Sequence, residues 1–189
     1  YWGENYSIAY NETLGSKKWL KENVVNLDSL KYAVSPFHSN KPYSVQALAD
    51  AEYKGFISGI IHNDPEFLVA TSGEVRFLSG KIVTHYQQCM LHGDCYHRRN
   101  NSIEIEKESF KNHYISGKIF GYLDHPFGGY NYGWNSEEER LLVHEEFINY
   151  INSFKNIKWM TCTEILDFVS DKSSIEITIS ENDTLILTR

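Results

Sequence analysis

The chain has 189 residues, a formal net charge of -7, 41% apolar and 23% charged residues. That length suits one domain, or one domain and the start of a second, and it can bury a sizeable core. The balance excludes a disordered or fibrous chain. Its Lys and Arg are scattered rather than gathered in a stripe, which excludes non-specific nucleic-acid binding, because that binding needs cations to displace counterions from phosphates.

Leu14 to Val25 reads as a helix. Tyr32 to Ser35 reads as a short strand stopped at Pro36, and Tyr43 to Tyr53 as a helix with Val45, Leu48 and Ala49 on one face, ended by Lys54-Gly55. Phe56 to Ile61 is a continuous apolar run of the kind buried on both faces of a parallel sheet. Val75 to Leu78 and Lys81 to Tyr86 flank Ser79-Gly80, a two-residue turn signal, so a hairpin is expected there. A helix over 104–116 ends at Gly117, and a strand follows over 118–123.

The helix opening at Ser136 carries the clearest start signal. Ser136 and Glu139 match a capping box, Glu137 and Glu138 suit the positive end of the helix dipole, and Leu141, Phe147, Ile148, Ile151 and Phe154 recur at helical spacing. A strand over 157–160 leads to a second capping box, Thr161 with Glu164, and a helix to Val169. Ser174 to Ile179 and Thr184 to Thr188 alternate as a hairpin around Glu181-Asn182-Asp183. The sequence therefore predicts an α/β domain over 1–170, with a β-hairpin, or the start of a β-rich domain, over 171–189. Function is expected at the carboxyl ends of the strands. No apolar run approaches the roughly 20 residues of a membrane span. The three cysteines, Cys89, Cys95 and Cys162, show no CxxC spacing and read as small buried residues of a protein in a reducing compartment, the cytoplasm.

Three strand ends carry the chemistry. The first is Ser35-Pro36-Phe37-His38, where Pro36, Phe37 and His38 are placed to line a cleft. The second follows His85 and holds His92, Asp94 and His97, nitrogen and oxygen donors of the types zinc accepts; the alternative is a polar loop whose His and Asp bond each other and Arg98. The third is Asp124-His125-Pro126. A histidine just beyond a buried strand titrates near neutrality and can serve as a general acid or base. The loop after it alternates aromatics and glycines through Tyr130, Asn131, Tyr132 and Trp134. Those rings either stack on a sugar, with Asn131 bonding hydroxyls, or pack the loop down. His62, His113 and His144 read as surface residues.

The run Tyr32 to His38, with the helix from Ser44 and the following Lys54-Gly55-Phe56-Ile57, resembles the third conserved block of the polysaccharide deacetylases, the NodB-like family. Gly121-Tyr122-Leu123-Asp124-His125-Pro126 resembles its last block, and Ile157 to Thr161 with Glu164-Ile165-Leu166 is similar to its closing strand and helix. The resemblance covers residues 14–170. It implies a partial, distorted (β/α) barrel of the glycoside hydrolase and deacetylase type that removes acetyl groups from N-acetylated sugars of a bacterial surface polysaccharide or its precursor. It implies a divalent metal, zinc by preference, held by Asp and two His that polarises the acetyl carbonyl, and it gives His125 the role of acid to the leaving amine. The arginine expected before the proline turn is absent; Val34 and Ser35 stand there. The family's Asp-Asp and HxxxH blocks should precede the first helix and do not occur, so the chain is read as the C-terminal part of the domain, with its metal ligands upstream of residue 1 and no activity alone. The rivals are another metal-dependent hydrolase using His92, Asp94 and His97, and a non-catalytic glycan-binding module using Tyr130, Tyr132 and Trp134.

Overall fold

The structure is a computed structural model that describes residues 4–24, 30–35, 41–59, 76–78, 82–87, 89–90, 96–97, 102–124, 133–179 and 185–188. Five helices lie among them: α1 (Tyr6–Asn23), α2 (Pro42–Asp50), α3 (Ile103–Ile115), α4 (Glu137–Asn152) and α5 (Cys162–Ser173). The strands are β1 (Tyr32–Val34), β2 (Gly55–Gly59), β3 (Arg76–Leu78), β4 (Ile82–Gln87), β5 (Cys89–Met90), β6 (Tyr122–Leu123), β7 (Glu176–Ile179) and β8 (Leu185–Thr188). Mixed α/β architecture is therefore as the alternating pattern predicts. Among the described residues the strands form open sheets and not a closed barrel.

Sheet order is β1-β2-β4-β3. β1 and β2 run parallel with Ala33 opposite Phe56, and β2 and β4 run parallel with Ile57 opposite His85. The predicted hairpin is present, β3 pairing antiparallel with β4 so that Phe77 faces Val83. β5 follows β4 after one residue and pairs in parallel with β6, Met90 opposite Leu123. β7 and β8 make the antiparallel hairpin expected in the tail.

Helix ends follow local chemistry. α1 begins eight residues before the predicted start, because the Asn5 side chain accepts from the Ile8 N–H and caps it. α2 stops at Asp50, earlier than expected: Glu52 takes the left-handed conformation at φ 62°, Tyr53 N–H bonds Leu48 O, and Glu52 N–H bonds Ala49 O. That is a Schellman end without its usual glycine, and a non-glycine residue there costs about 1 kcal/mol. Lys17 of α1 offsets the cost by donating its buried ammonium to Ala51 O at 2.6 Å and Glu52 O at 3.2 Å. α3 ends at Gly117, as predicted, with φ +63° and the same pair of bonds, from Lys118 N–H to His113 O and from Gly117 N–H to Tyr114 O. α5 opens on the predicted capping box, Thr161 and Glu164 each bonding the other's backbone N–H, and it continues past Val169 to Ser173.

Two apolar clusters form the core. Val45, Leu48 and Ala51 of α2 and its end meet Tyr53 and Phe56 of β2. Phe110 of α3 meets Phe147 and Ile151 of α4, with Phe120 and Tyr122 packed against them. The strand expected over 118–123 is shortened to Tyr122–Leu123, and the strand expected over 157–160 carries no ladder among the described residues. Leu141, placed by periodicity on the inner face of α4, is 54% exposed, whereas Phe147 is fully buried against Phe120 and Tyr122. Phe147→Ala should therefore cost about 3–5 kcal/mol of unfolding free energy and Leu141→Ala less than about 0.5 kcal/mol, measured by urea denaturation.

Candidate functional site

The segments singled out by their chemistry follow the carboxyl ends of parallel strands, β1 in the four-stranded sheet and β5 and β6 in the two-stranded one. Ser35 follows β1, its N–H bonded to Ile57 O at 2.9 Å. Residues 91–97 follow β5 in the chain and Asp124 follows β6, and the last paired residues of these strands, Met90 and Leu123, stand opposite one another.

Helix α4 meets both. Ser136 caps it as predicted, its hydroxyl accepting from Glu139 N–H. Glu139 does not close the expected capping box. Its Oε2 accepts instead from Asn135 N–H at 2.8 Å, and its Oε1 lies 2.9 Å from His97 Nε2 and 3.2 Å from Asn135 Nδ2. His97 Nε2 also lies 3.2 Å from the Asn135 amide, so it donates to Glu139 in one protonation state and accepts from Asn135 in the other. Partial burial alone would raise the Glu139 carboxyl. The Asn135 N–H, His97 and the Asn135 amide outweigh it and hold the group below the usual carboxylate range.

One residue further along α4, Arg140 donates Nη1 to Asp124 Oδ2 at 2.6 Å and its Nε to Glu137 Oε2 at 2.9 Å, with a second bond from Nη2 to Glu137 Oε1. The Arg140 and Asp124 side chains are 13% and 12% exposed. His144, one turn on, brings Nε2 to 3.0 Å from the same Asp124 oxygen. That contact is close but out of line for a hydrogen bond, and among the described residues Asp124 Oδ1, His144 Nε2 and Trp134 Nε1 have no hydrogen-bond partner. Burial pushes His144 below the ordinary imidazole range; Asp124 pulls it upward and Arg140 adds to the depression.

Trp134 stands at the centre. Its ring is 3% exposed, and its centroid lies 5.3 Å from Tyr96, 6.0 Å from His97 and 6.1 Å from His144. The ring expected to stack on a sugar is thus covered by neighbouring side chains. No protein-family model, curated protein or solved structure matches the chain.

Of the predicted site residues, His97 and Trp134 lie within the described structure and come together. Pro36, Phe37, His38, His92, Asp94, His125, Asn131 and Tyr132, with Tyr130, lie outside the described residues. Sequence reasoning missed Glu139, Arg140, Asn135 and His144 as site neighbours. His144 was expected at the surface and is instead 12% exposed against Asp124. His113 was also expected there and is buried, with Nδ1 2.7 Å from Ser109 O and its ring against Phe120. Arg140 and His144, spaced i and i+4 on one helix face, were the available signal.

Among the described residues no three His, Cys, Asp or Glu side chains gather as a metal site. The donors present do not fit a divalent cation, since Glu139 holds His97 Nε2 and a guanidinium faces Asp124. An apolar cleft of about 540 Å³ lies between α3, α4 and α5, lined by Phe110, Phe120, Tyr122, Trp159 and Phe168. Cys162 lines it too, and burial pushes its thiol upward, away from the reactive thiolate.

His144 gives the cluster an acid sensitivity of fixed sign. Its folded pKa is depressed, so the unfolded chain takes up the proton first; stability is full above about pH 6.5 and falls as the pH drops below it. Melting temperatures should fall from about pH 7 to about pH 5 in the native protein and fall less in His144→Asn. The depressed carboxylates, Glu139 among them, contribute their losses only at lower pH, where carboxylates protonate.

Proposed function

We propose that the chain belongs to a hydrolase that removes acetyl groups from N-acetylated sugars of a bacterial surface polysaccharide or its precursor, and that His125 is its general acid. The supporting observation is the shared strand edge. The segment bearing His97 and the segment that begins at Asp124 leave adjacent parallel strands at Met90 and Leu123, and one helix bonds to each. In parallel α/β sheets that edge is where ligands bind and reactions occur.

The finer architecture, a partial, distorted (β/α) barrel, is part of the same proposal. β1 and β2 are parallel neighbours joined through α2, and β5 and β6 are parallel neighbours with α3 between them in the chain. Strands that follow one another in the chain and also neighbour one another in space, with helices between, are the repeating unit of such barrels.

In the reaction the amide C–N bond of the acetamido group breaks, a water oxygen joins the acetyl carbon, and a proton passes from His125 to the departing sugar nitrogen, giving acetate and the free amine. The divalent cation implied for this hydrolysis is held by an Asp and two His of the family's own blocks, whereas His92, Asp94 and His97 are the ligand set of the rival hydrolase. Carbohydrate is the partner, with Pro36, Phe37, His38, Asn131 and Tyr132 as its candidate contacts. Among the described residues no helix is long and apolar enough to cross a membrane. Trp134, being covered, counts against the reading of the aromatic loop as a free-standing glycan-binding surface.

The test is acetate release from N-acetylglucosamine oligomers by the complete gene product that contains this chain. Native protein should release acetate, and His125→Ala should lower the rate by about 10²–10⁴. Release at the native rate by His125→Ala, or no release from any N-acetylated oligosaccharide, would sink the proposal.

A further inference from the structure

We infer that the first two turns of α4 are the positioning element of this site, with Arg140 holding the strand end that leads into His125 and Glu139 holding His97. The first support is economy of attachment. Glu139 and Arg140 are consecutive residues, yet one reaches the segment that follows β5 and the other the residue that follows β6. One helix thereby bonds both His97 and Asp124, and groups held from a helix are placed more narrowly than groups held from loops.

The second support is how completely the helix uses these side chains. Arg140 divides a planar fork between Glu137 and Asp124, a geometry that an ammonium point charge cannot reproduce. Glu139 spends both oxygens, one on the Asn135 N–H that enters the helix and the other on His97 and the Asn135 amide. His144 adds a third contact, pressing on Asp124 from one turn further along and stacking on Tyr122 at 5.8 Å. Trp134, wedged between Tyr96, His97 and His144, fills the space that these contacts frame.

The third support is what the arrangement does not do. The carboxylate oxygens of Glu139 and the guanidinium nitrogens Nε, Nη1 and Nη2 of Arg140 each bond a neighbour in the protein. Side chains engaged in this way act through the neighbours they hold. Arg140 and Glu139 are therefore positioning residues, and the chemistry stays with the segments they hold.

The consequence for catalysis rests on the deacetylase reading, but the positioning itself has a readout that does not. Arg140→Lys keeps a cation beside Asp124 while losing the fork, and it is the variant that preserves the fold; Arg140→Gln is the stronger change, and Glu139→Gln probes the other loop. In the complete gene product, hydrogen exchange followed by mass spectrometry should speed up at least fivefold at Leu123 and Asp124 in both Arg140 variants. It should speed up at Tyr96 and His97 in Glu139→Gln, with the amides of α4 from Phe147 onward unchanged. Acetate release should lose at least tenfold in kcat in Arg140→Lys with KM within twofold. Native exchange at these amides in Arg140→Lys and Glu139→Gln overturns the inference, and so does faster exchange with native kcat. If native protein releases no acetate the deacetylase reading falls, and the exchange rates alone decide whether α4 holds the two segments.

Discussion

An arginine that is 13% exposed is solvated largely by what the protein puts around it, and among the described residues two carboxylates, Asp124 and Glu137, bond Arg140. Removing a charge from water is costly, and the cost is recovered only where the geometry is good and the remaining donors are bonded. Glu137 meets that condition from within the helix and Asp124 from the end of β6. The pair therefore fixes the angle at which α4 lies against the sheet, and with it the place of everything α4 carries: Glu139 toward His97, His144 toward Asp124, Phe147 into the core. The aromatic packing of Phe110, Phe120, Tyr122 and Phe147 provides the apolar contact beneath this polar clamp. Polar clamp and apolar floor hold the same strand, β6, from two sides.

Much of the element order could be read from residues whose signals are local. Ser136, Thr161 with Glu164, and Gly117 act on backbone groups within four positions of themselves, so each was placed correctly. Ser79-Gly80 announced the pairing of β3 with β4 for the same reason. What the sequence could not disclose were partners set by the fold. His144 looks like any histidine on a charged helix until Asp124, twenty positions earlier, is seen to stand beside it. Glu139 looks like half of a capping box, and its carboxylate has a better-placed donor in Asn135 N–H and a distant one in His97. Periodicity grouped Leu141 with Phe147, but it gives only a face. Which turns of that face are covered depends on where the sheet ends. Residues 118–121 and 157–160 have strand-like sequences, and a strand needs a neighbour to bond.

The candidate site was legible to a comparable depth. Reading His97 and Trp134 as site residues put two of the right positions together, yet the roles differ from expectation. Trp134 serves as a wedge and not as an open platform, because the rings of Tyr96, His97 and His144 pack around it. His97 spends Nε2 on Glu139, which sets a competition: any cation that claims that nitrogen has to displace a carboxylate that, despite its partial burial, is held below its ordinary pKa by the Asn135 N–H and amide and by His97 itself.

One tie elsewhere in the molecule bears on how the chain comes to be folded. The Tyr32 hydroxyl donates to Asp167 Oδ1 and the Lys31 ammonium lies 3.2 Å from Asp167 Oδ2, joining the first strand to the last helix across 135 residues. Desolvation and that carboxylate push the tyrosine hydroxyl well above its usual range, so it remains a donor at any physiological pH. During synthesis β1 and α2 emerge before α5 and can assemble their own small core, but the anchor of β1 leaves the ribosome 135 residues after Tyr32. The sheet's first strand is thus held late, and contacts this far apart in sequence slow folding through the entropy of closing so long a loop. A nascent chain interrupted before Asp167 would present β1 with one of its edges unsecured, a state that chaperones are suited to shelter.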